Sequence, residues 1–232
     1  MDSPLSQLVG MTRQLGKRER DYVILSEGNT SARADEDTFW VKGSGSRMAD
    51  VDQHAFVRVR LTDVLALLDA GPLAEWMYRT HLAFARAVPS VRIAPSIETA
   101  LHALCLTLGG ATFVGHTHPT AINAIMCARD AEKAFTRSIS PAESLAGGEP
   151  LFVPFVASGQ PLAWAVEAAL RSYIDCQGEP PRVVLLQNHG LVALGASPQE
   201  VIDTTEMVVK TARILVQTYA LGGPHFVERI AE

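Results

Sequence analysis

The chain runs to 232 residues, 47% of them apolar and 6% aromatic, which is enough to bury a substantial core. Charged residues make up 19% and the formal net charge is −5. That mildly acidic balance argues against a nucleic-acid binder, which needs a basic face, yet leaves room for the few donors that one phosphate or carboxylate requires.

Cys105, Cys127 and Cys176 are odd in number, far apart and without a CxxC pair. They do not form a disulfide framework or a cysteine-based zinc site, and are expected as small buried apolar residues. The segment from Met1 to Arg20 mixes charged and apolar residues and lacks the apolar run of a signal peptide. No stretch reaches the ~18 uninterrupted apolar residues of a membrane span. A soluble cytoplasmic protein is expected. With no repeat, low-complexity tract or Ser/Gly linker, residues 1–232 read as a single domain.

Leu5, Leu8, Val9 and Leu15 mark a first helix. Tyr22 to Leu25 reads as a strand running into the turn Ser26-Glu27-Gly28-Asn29, and Phe39 to Lys42 as a strand stopping at Gly43-Ser44-Gly45-Ser46. Phe56 to Arg60 alternates as a strand does, Thr62 is placed to cap a helix through Leu68, and Leu73 to Val88 predicts a helix closed by Pro89. Ser96 is the expected N-cap of a helix carrying Ile97, Leu101, Leu104, Cys105 and Leu108, ended by Gly109-Gly110.

Ala111 to Gly115 is a short apolar strand delivering His116, and Pro119 opens a helix with Ile122, Ile125 and Met126. Leu151 to Val156 and Val183 to Leu186 are further strands, separated by a helix bearing Leu162, Val166, Ala169, Leu170 and Tyr173. Ser197-Pro198-Gln199-Glu200 is a capping box, opening a helix with Val201, Val208, Ala212, Leu215 and Tyr219 on one face. Strands interleaved with helices give a layered α/β fold. Steps as short as 182–186 into 191–195 leave no room for a helical crossover, so the sheet is expected to be mixed or antiparallel.

Gly115-His116-Thr117-His118-Pro119 is the most informative stretch. Side chains two apart in an extended segment share a face, so both imidazoles can converge on one ion. His189, after an apolar strand in Gln187-Asn188-His189-Gly190, supplies a third. Three protein ligands with an open position are what catalytic zinc needs. Glu98 falls in the first turn of its helix, where a carboxylate is favoured, and His102 follows four residues later on the same face. These two are either a metal pair or a helix-dipole partner and a packed, hydrogen-bonded histidine. Gly28-Asn29 and Ser44-Gly45 read as strand-ending turns whose backbone N–H groups could cradle an anion.

In order along the chain, Glu27-Gly28-Asn29-Thr30-Ser31, Lys42-Gly43-Ser44-Gly45, Pro95-Ser96-Ile97-Glu98, His102, His116-Thr117-His118-Pro119 and Asn188-His189-Gly190 resemble the class II aldolase/adducin family, from about residue 5 to about 221. The stretch Pro95 to Ala103 is most similar to the aldolase half of bifunctional aldolase/dehydrogenase proteins. The resemblance implies a three-layer αβα fold with a mixed, largely antiparallel sheet, and a homotetramer with active sites between subunits. It implies zinc, or another divalent ion such as Mn2+ or Co2+, on His116, His118 and His189. Glu98 would be the acid/base and a further ligand at rest, and Gly28, Asn29, Ser44, Gly45 and Ser96 would bind substrate.

The implied activity is cleavage of a C–C bond in a ketose or ketose phosphate through an enediolate. Decarboxylation, epimerisation and dehydration are the family's other reactions, and an adducin-like binding domain is the non-catalytic alternative. Its partners would be small sugars, sugar phosphates or hydroxy acids, not nucleic acid or membrane. Two departures bear on the substrate. Ile97 stands where phosphate aldolases commonly have a second serine, which removes a hydroxyl donor worth roughly 1.5–3 kcal/mol to an anion. The segment from Ala131 to Ser144, where the fuculose enzyme places a tyrosine proton donor, has no tyrosine.

Overall fold

The short step from Val183–Leu186 to Gly190–Gly195 is a hairpin, and it seeds the architecture. In the computed structural model, which describes residues 3–140 and 148–227, these are strands β6 and β7, paired antiparallel. Strands β1 (Asn29–Arg33), β2 (Thr38–Lys42), β3 (Phe56–Arg60), β4 (Phe113–Thr117) and β5 (Leu151–Val153) complete one seven-stranded sheet in the order β3-β2-β1-β4-β7-β6-β5. Every neighbouring pair is antiparallel except β5 with β6. That exception follows from the long helix α6 (Gln160–Gln177) between them, which allows a crossover.

Alternation along the strands divides the core in two. One face carries Phe39, Val41, Val57, Val59, Val114, Val184, Leu186, Val192 and Leu194. It is covered by α2 (Leu61–Asp69), α3 (Glu75–Phe84), α4 (Thr99–Thr107) and α6. The other face carries Ala32, Phe56, Phe113, Val183, Leu185, Leu191 and Ala193, under α1 (Pro4–Leu15), α5 (Thr120–Met126) and α7 (Pro198–Ala220). The fold is therefore the three-layer αβα arrangement with a mixed, largely antiparallel sheet. No helix among the described residues is long and apolar enough to cross a membrane.

Several local expectations are corrected. Residues 22–25 form a loop instead of a strand, because Asp21 and Leu25 take left-handed backbone angles and Ile24 and Leu25 are 61% and 70% exposed. The strand begins instead at Asn29, so Gly28-Asn29 opens β1 and does not end a strand. Thr62 caps nothing: α2 starts at Leu61, with Arg60 in the cap position. The helix expected over 73–88 is confined to α3, since Arg60 and Ala87 N–H groups bond Ala85 and Arg58 carbonyls and hook the chain onto the edge of β3.

Ser96 sits two residues ahead of the observed cap. Its Oγ accepts the Glu98 N–H, but Glu98 itself occupies the cap position of α4. Of the three cysteines only Cys105 is buried; Cys127 ends α5 and Cys176 lies in the last turn of α6, both exposed. The α7 stripe is buried from Val201 to Leu215, while Tyr219, one turn on, is 59% exposed. Residues 141–144 of the tyrosine-free segment lie outside the described residues.

Candidate metal centre

The pairing of β1, β4 and β7 determines where the histidines meet. Asn29 stands opposite His116 in one ladder and Val192 stands opposite it in the other, so His116 lies on the sheet face that α4 covers. His118 lies just past the end of β4, held by its N–H donating to the Tyr22 carbonyl at 2.8 Å. His189 comes from the tight β6–β7 turn, made possible by the left-handed Asn188, a conformation asparagine tolerates. Gly190 follows because a Cβ there would lie 2.5 Å from the Thr117 carbonyl oxygen and 2.8 Å from His118 Cδ2.

The three rings face one another edge on, with centroids 4.7 to 4.9 Å apart. His116 Nε2 is 2.9 Å from His118 Nε2 and 3.3 Å from His189 Nε2. The tautomer of His116 is fixed: Nδ1–H donates to the Leu191 carbonyl at 3.0 Å, so its Nε2 presents a lone pair to the other two. Burial pulls the pKa of His116 down to about 4 and that of His118 down to about 3, against the pull of Glu98 and helped by the neighbouring histidines. Three imidazole nitrogens aimed at one point, two of them on rings that burial keeps neutral, fit a divalent cation. Nitrogens held tetrahedrally at 2.0–2.1 Å lie about 3.3 Å from one another, close to the spacings here. All ligand atoms of His116, His118 and His189 fall within 4.8 Å of one another, and the group can hold a metal.

Glu98 lies beside this group and outside its closed set. Its carboxylate oxygens are 3.4 Å from His116 Nε2 and 3.1 Å from His189 Nε2. Burial opposes ionisation of Glu98, but the facing His116 and His189 rings and the Asn29 amide outweigh it and hold the carboxyl well below the usual range. Asn29 Nδ2 donates to Glu98 Oε2 at 2.8 Å and to Ser96 Oγ at 3.1 Å. His102, fully buried with its pKa pulled down to about 4 by burial, hydrogen-bonds Asn29 and Ser31, whereas the ring contacts join His116, His118 and His189. It is the packed, hydrogen-bonded histidine of the two alternatives.

The expected anion-binding residues are brought close in part. An isolated bridge between Gly43 and Pro95 sets Ser44 near Ser96. However, Ser44 N–H is spent on the Ala94 carbonyl and the Asn29 amide on Glu98 and Ser96. Gly45 is exposed, and Gly28, with φ +69°, packs against the His116 carbonyl. Two site residues escape the sequence reading. Lys42 is 2% exposed, burial pulls its pKa down to about 8 against the pull of Glu98, and its Nζ donates to the Gly43 carbonyl at 3.3 Å. Ser158 Oγ donates to Glu98 Oε1 at 3.3 Å. Lys42 had a signal, a charge ending an apolar strand; Ser158 had none.

Comparison with known proteins agrees with this geometry. A family profile described as Class II Aldolase and Adducin N-terminal domain matches residues 6–216. The chain is 29% identical over 219 residues to an uncharacterized oxidoreductase, YuxG, of Bacillus subtilis; the match covers 90% of this chain but only 29% of that protein's length. It is 26% identical to methylthioribulose-1-phosphate dehydratase of Microcystis aeruginosa, covering 94% of this chain and 98% of that one. Among solved structures, the N-terminal class II aldolase domain of a conserved protein from Thermoplasma acidophilum superposes with a TM-score of 0.73 at 25% identity, covering 93% of this chain and 95% of that one. The chain belongs to the class II aldolase/adducin family.

Proposed function

We propose that this chain is a single-domain, divalent-metal lyase that cleaves a C–C bond of a ketose or ketose phosphate by retro-aldol chemistry. One observation supports it above others: three imidazole nitrogens meet at one point with an ionised carboxylate 3.1 to 3.4 Å from two of them. In this reading His116, His118 and His189 hold the ion, zinc being the first choice for an all-nitrogen set with an open position. The bound ion would supply Lewis-acid stabilisation of negative charge on the substrate's oxygens.

Everything else falls to side chains. Glu98, ionised at rest, accepts the proton released when the C–C bond breaks and returns it to the carbon that keeps the electron pair. The Asn29 and Ser158 donors restrict the carboxylate's rotation and leave it aimed at the rings. Gly28, Asn29, Ser44, Gly45 and Ser96 mark the expected substrate side of the site, although the Ser44 N–H and the Asn29 amide are already bonded within the chain, and Lys42 is the nearby cation. A second reading, dehydration, is favoured by the Microcystis relative's printed activity. Both reactions need a base beside a polarised carbonyl, so the site serves either.

Incubating zinc-loaded protein with a panel of ketoses and ketose 1-phosphates, and trapping released aldehyde, separates the readings. Retro-aldol cleavage yields a trapped aldehyde, whereas loss of water with the carbon chain intact establishes the second reading. Glu98→Gln should keep the metal and lose at least a hundredfold in turnover. Normal turnover in that variant removes Glu98 from the mechanism.

A further inference from the structure

A chain of four side chains runs through the α4 face of the sheet and ends at Glu98. Its direction follows from where the Asn29 amide nitrogen lies, 2.8 Å from Glu98 Oε2 and 3.1 Å from Ser96 Oγ. An amide nitrogen can only donate, and Ser96 Oγ accepts both from it and from the Glu98 N–H. Asn29 Oδ1 consequently faces His102 Nε2 and must accept. Nε2 therefore carries the ring proton, Nδ1 is bare, and the Ser31 hydroxyl, 2.7 Å away, donates to it. His102 and Ser31 are fully buried and Asn29 and Glu98 nearly so, so water cannot substitute for a lost member.

We propose that His102 is a positioning residue that locks the Asn29 amide in the orientation that holds Glu98 against the His116 and His189 rings. It acts through Asn29. The proposal rests on Glu98 as the proton-moving group of the previous section. Without the Nε2–H donor, Asn29 is free to flip and present Oδ1 to the carboxylate, and two acceptors then face each other in a buried pocket. The expected result is a slower proton transfer with substrate affinity and metal content intact.

Two measurements test this, and the first needs no substrate. Side-chain 15N NMR of the zinc-loaded wild-type protein should find His102 neutral, protonated at Nε2 and bare at Nδ1; the opposite tautomer overturns the proposal. The second compares His102→Gln, which can still donate to Asn29, with His102→Leu, which cannot. The readout is exchange of the carbon-bound protons of dihydroxyacetone phosphate with D2O. His102→Leu should lose roughly tenfold or more in the exchange rate constant at saturation with little change in KM, and His102→Gln should recover most of it. Equal losses in both variants, or a loss confined to KM, overturn the proposal. Should His102→Leu fail to fold, or the wild type not exchange this probe, the tautomer decides for or against His102; a silent wild type counts against the lyase reading alone.

Discussion

His102 is buried as a neutral ring, and folding stability must register it. Its folded pKa of about 4 lies below the ordinary 6.5, so the unfolded chain takes up the proton first as pH falls. The stabilisation is present in full above about pH 7, declines by about 1.4 kcal/mol per pH unit between about 6.5 and 4, and levels off below. Because His116 and His118 titrate in the same direction, the test is a difference. Between pH 7 and pH 5, urea melts of the metal-free wild type should show a loss about 2 kcal/mol larger than melts of His102→Gln. Equal losses would mean that the ring is protonated, or exposed, in the folded protein.

At the scale of single elements, the β6–β7 turn carries the heaviest demand. Asn188 takes a left-handed angle, His189 reaches the other rings, and Gly190 leaves the space that His118 and the Thr117 carbonyl fill. Gly190→Ala should therefore lower zinc affinity by roughly tenfold or more, measured by chelator competition, because the added Cβ pushes the His118 ring out of line. An unchanged affinity would show that the rings tolerate displacement.

The same turn shows what the sequence made legible. His116 and His118 share an extended segment and His189 follows an apolar strand, so period-two spacing and a strand-ending position made their meeting legible, while their expected role as ligands came from the family resemblance. Strand β1 was not legible in this way. Its residues Asn29, Thr30 and Ser31 are polar and buried, bonded to Glu98, Thr12 and His102, and a polar strand carries no hydrophobic alternation to read. Tyr22 to Leu25 misled in the opposite sense, since its apolar run covers a loop that positions His118 through one carbonyl. The residues expected at an anion site were picked out by their motif, but where their N–H groups point is decided by tertiary pairing that no local pattern records.

For the whole molecule, the three-layer fold leaves apolar side chains in water on a lone chain. Trp76, Phe84 and Tyr219 are largely exposed, and Leu221, at the end of α7, is 86% exposed. With the family resemblance, these contribute to the proposal of a homotetramer. Light scattering should return about 100 kDa, four chains of 25.0 kDa each. A species of one chain's mass with full activity would contradict active sites shared between subunits.

The central claim is that His116, His118 and His189 jointly hold one metal ion. X-ray absorption at the zinc edge, on protein loaded with one equivalent, tests it most directly. The account predicts three imidazole nitrogens at about 2.0–2.1 Å in the wild type, and one imidazole fewer with weakened binding in each of His116→Ala, His118→Ala and His189→Ala. A wild-type spectrum without imidazole scattering, or one that the three substitutions leave unchanged, would contradict it.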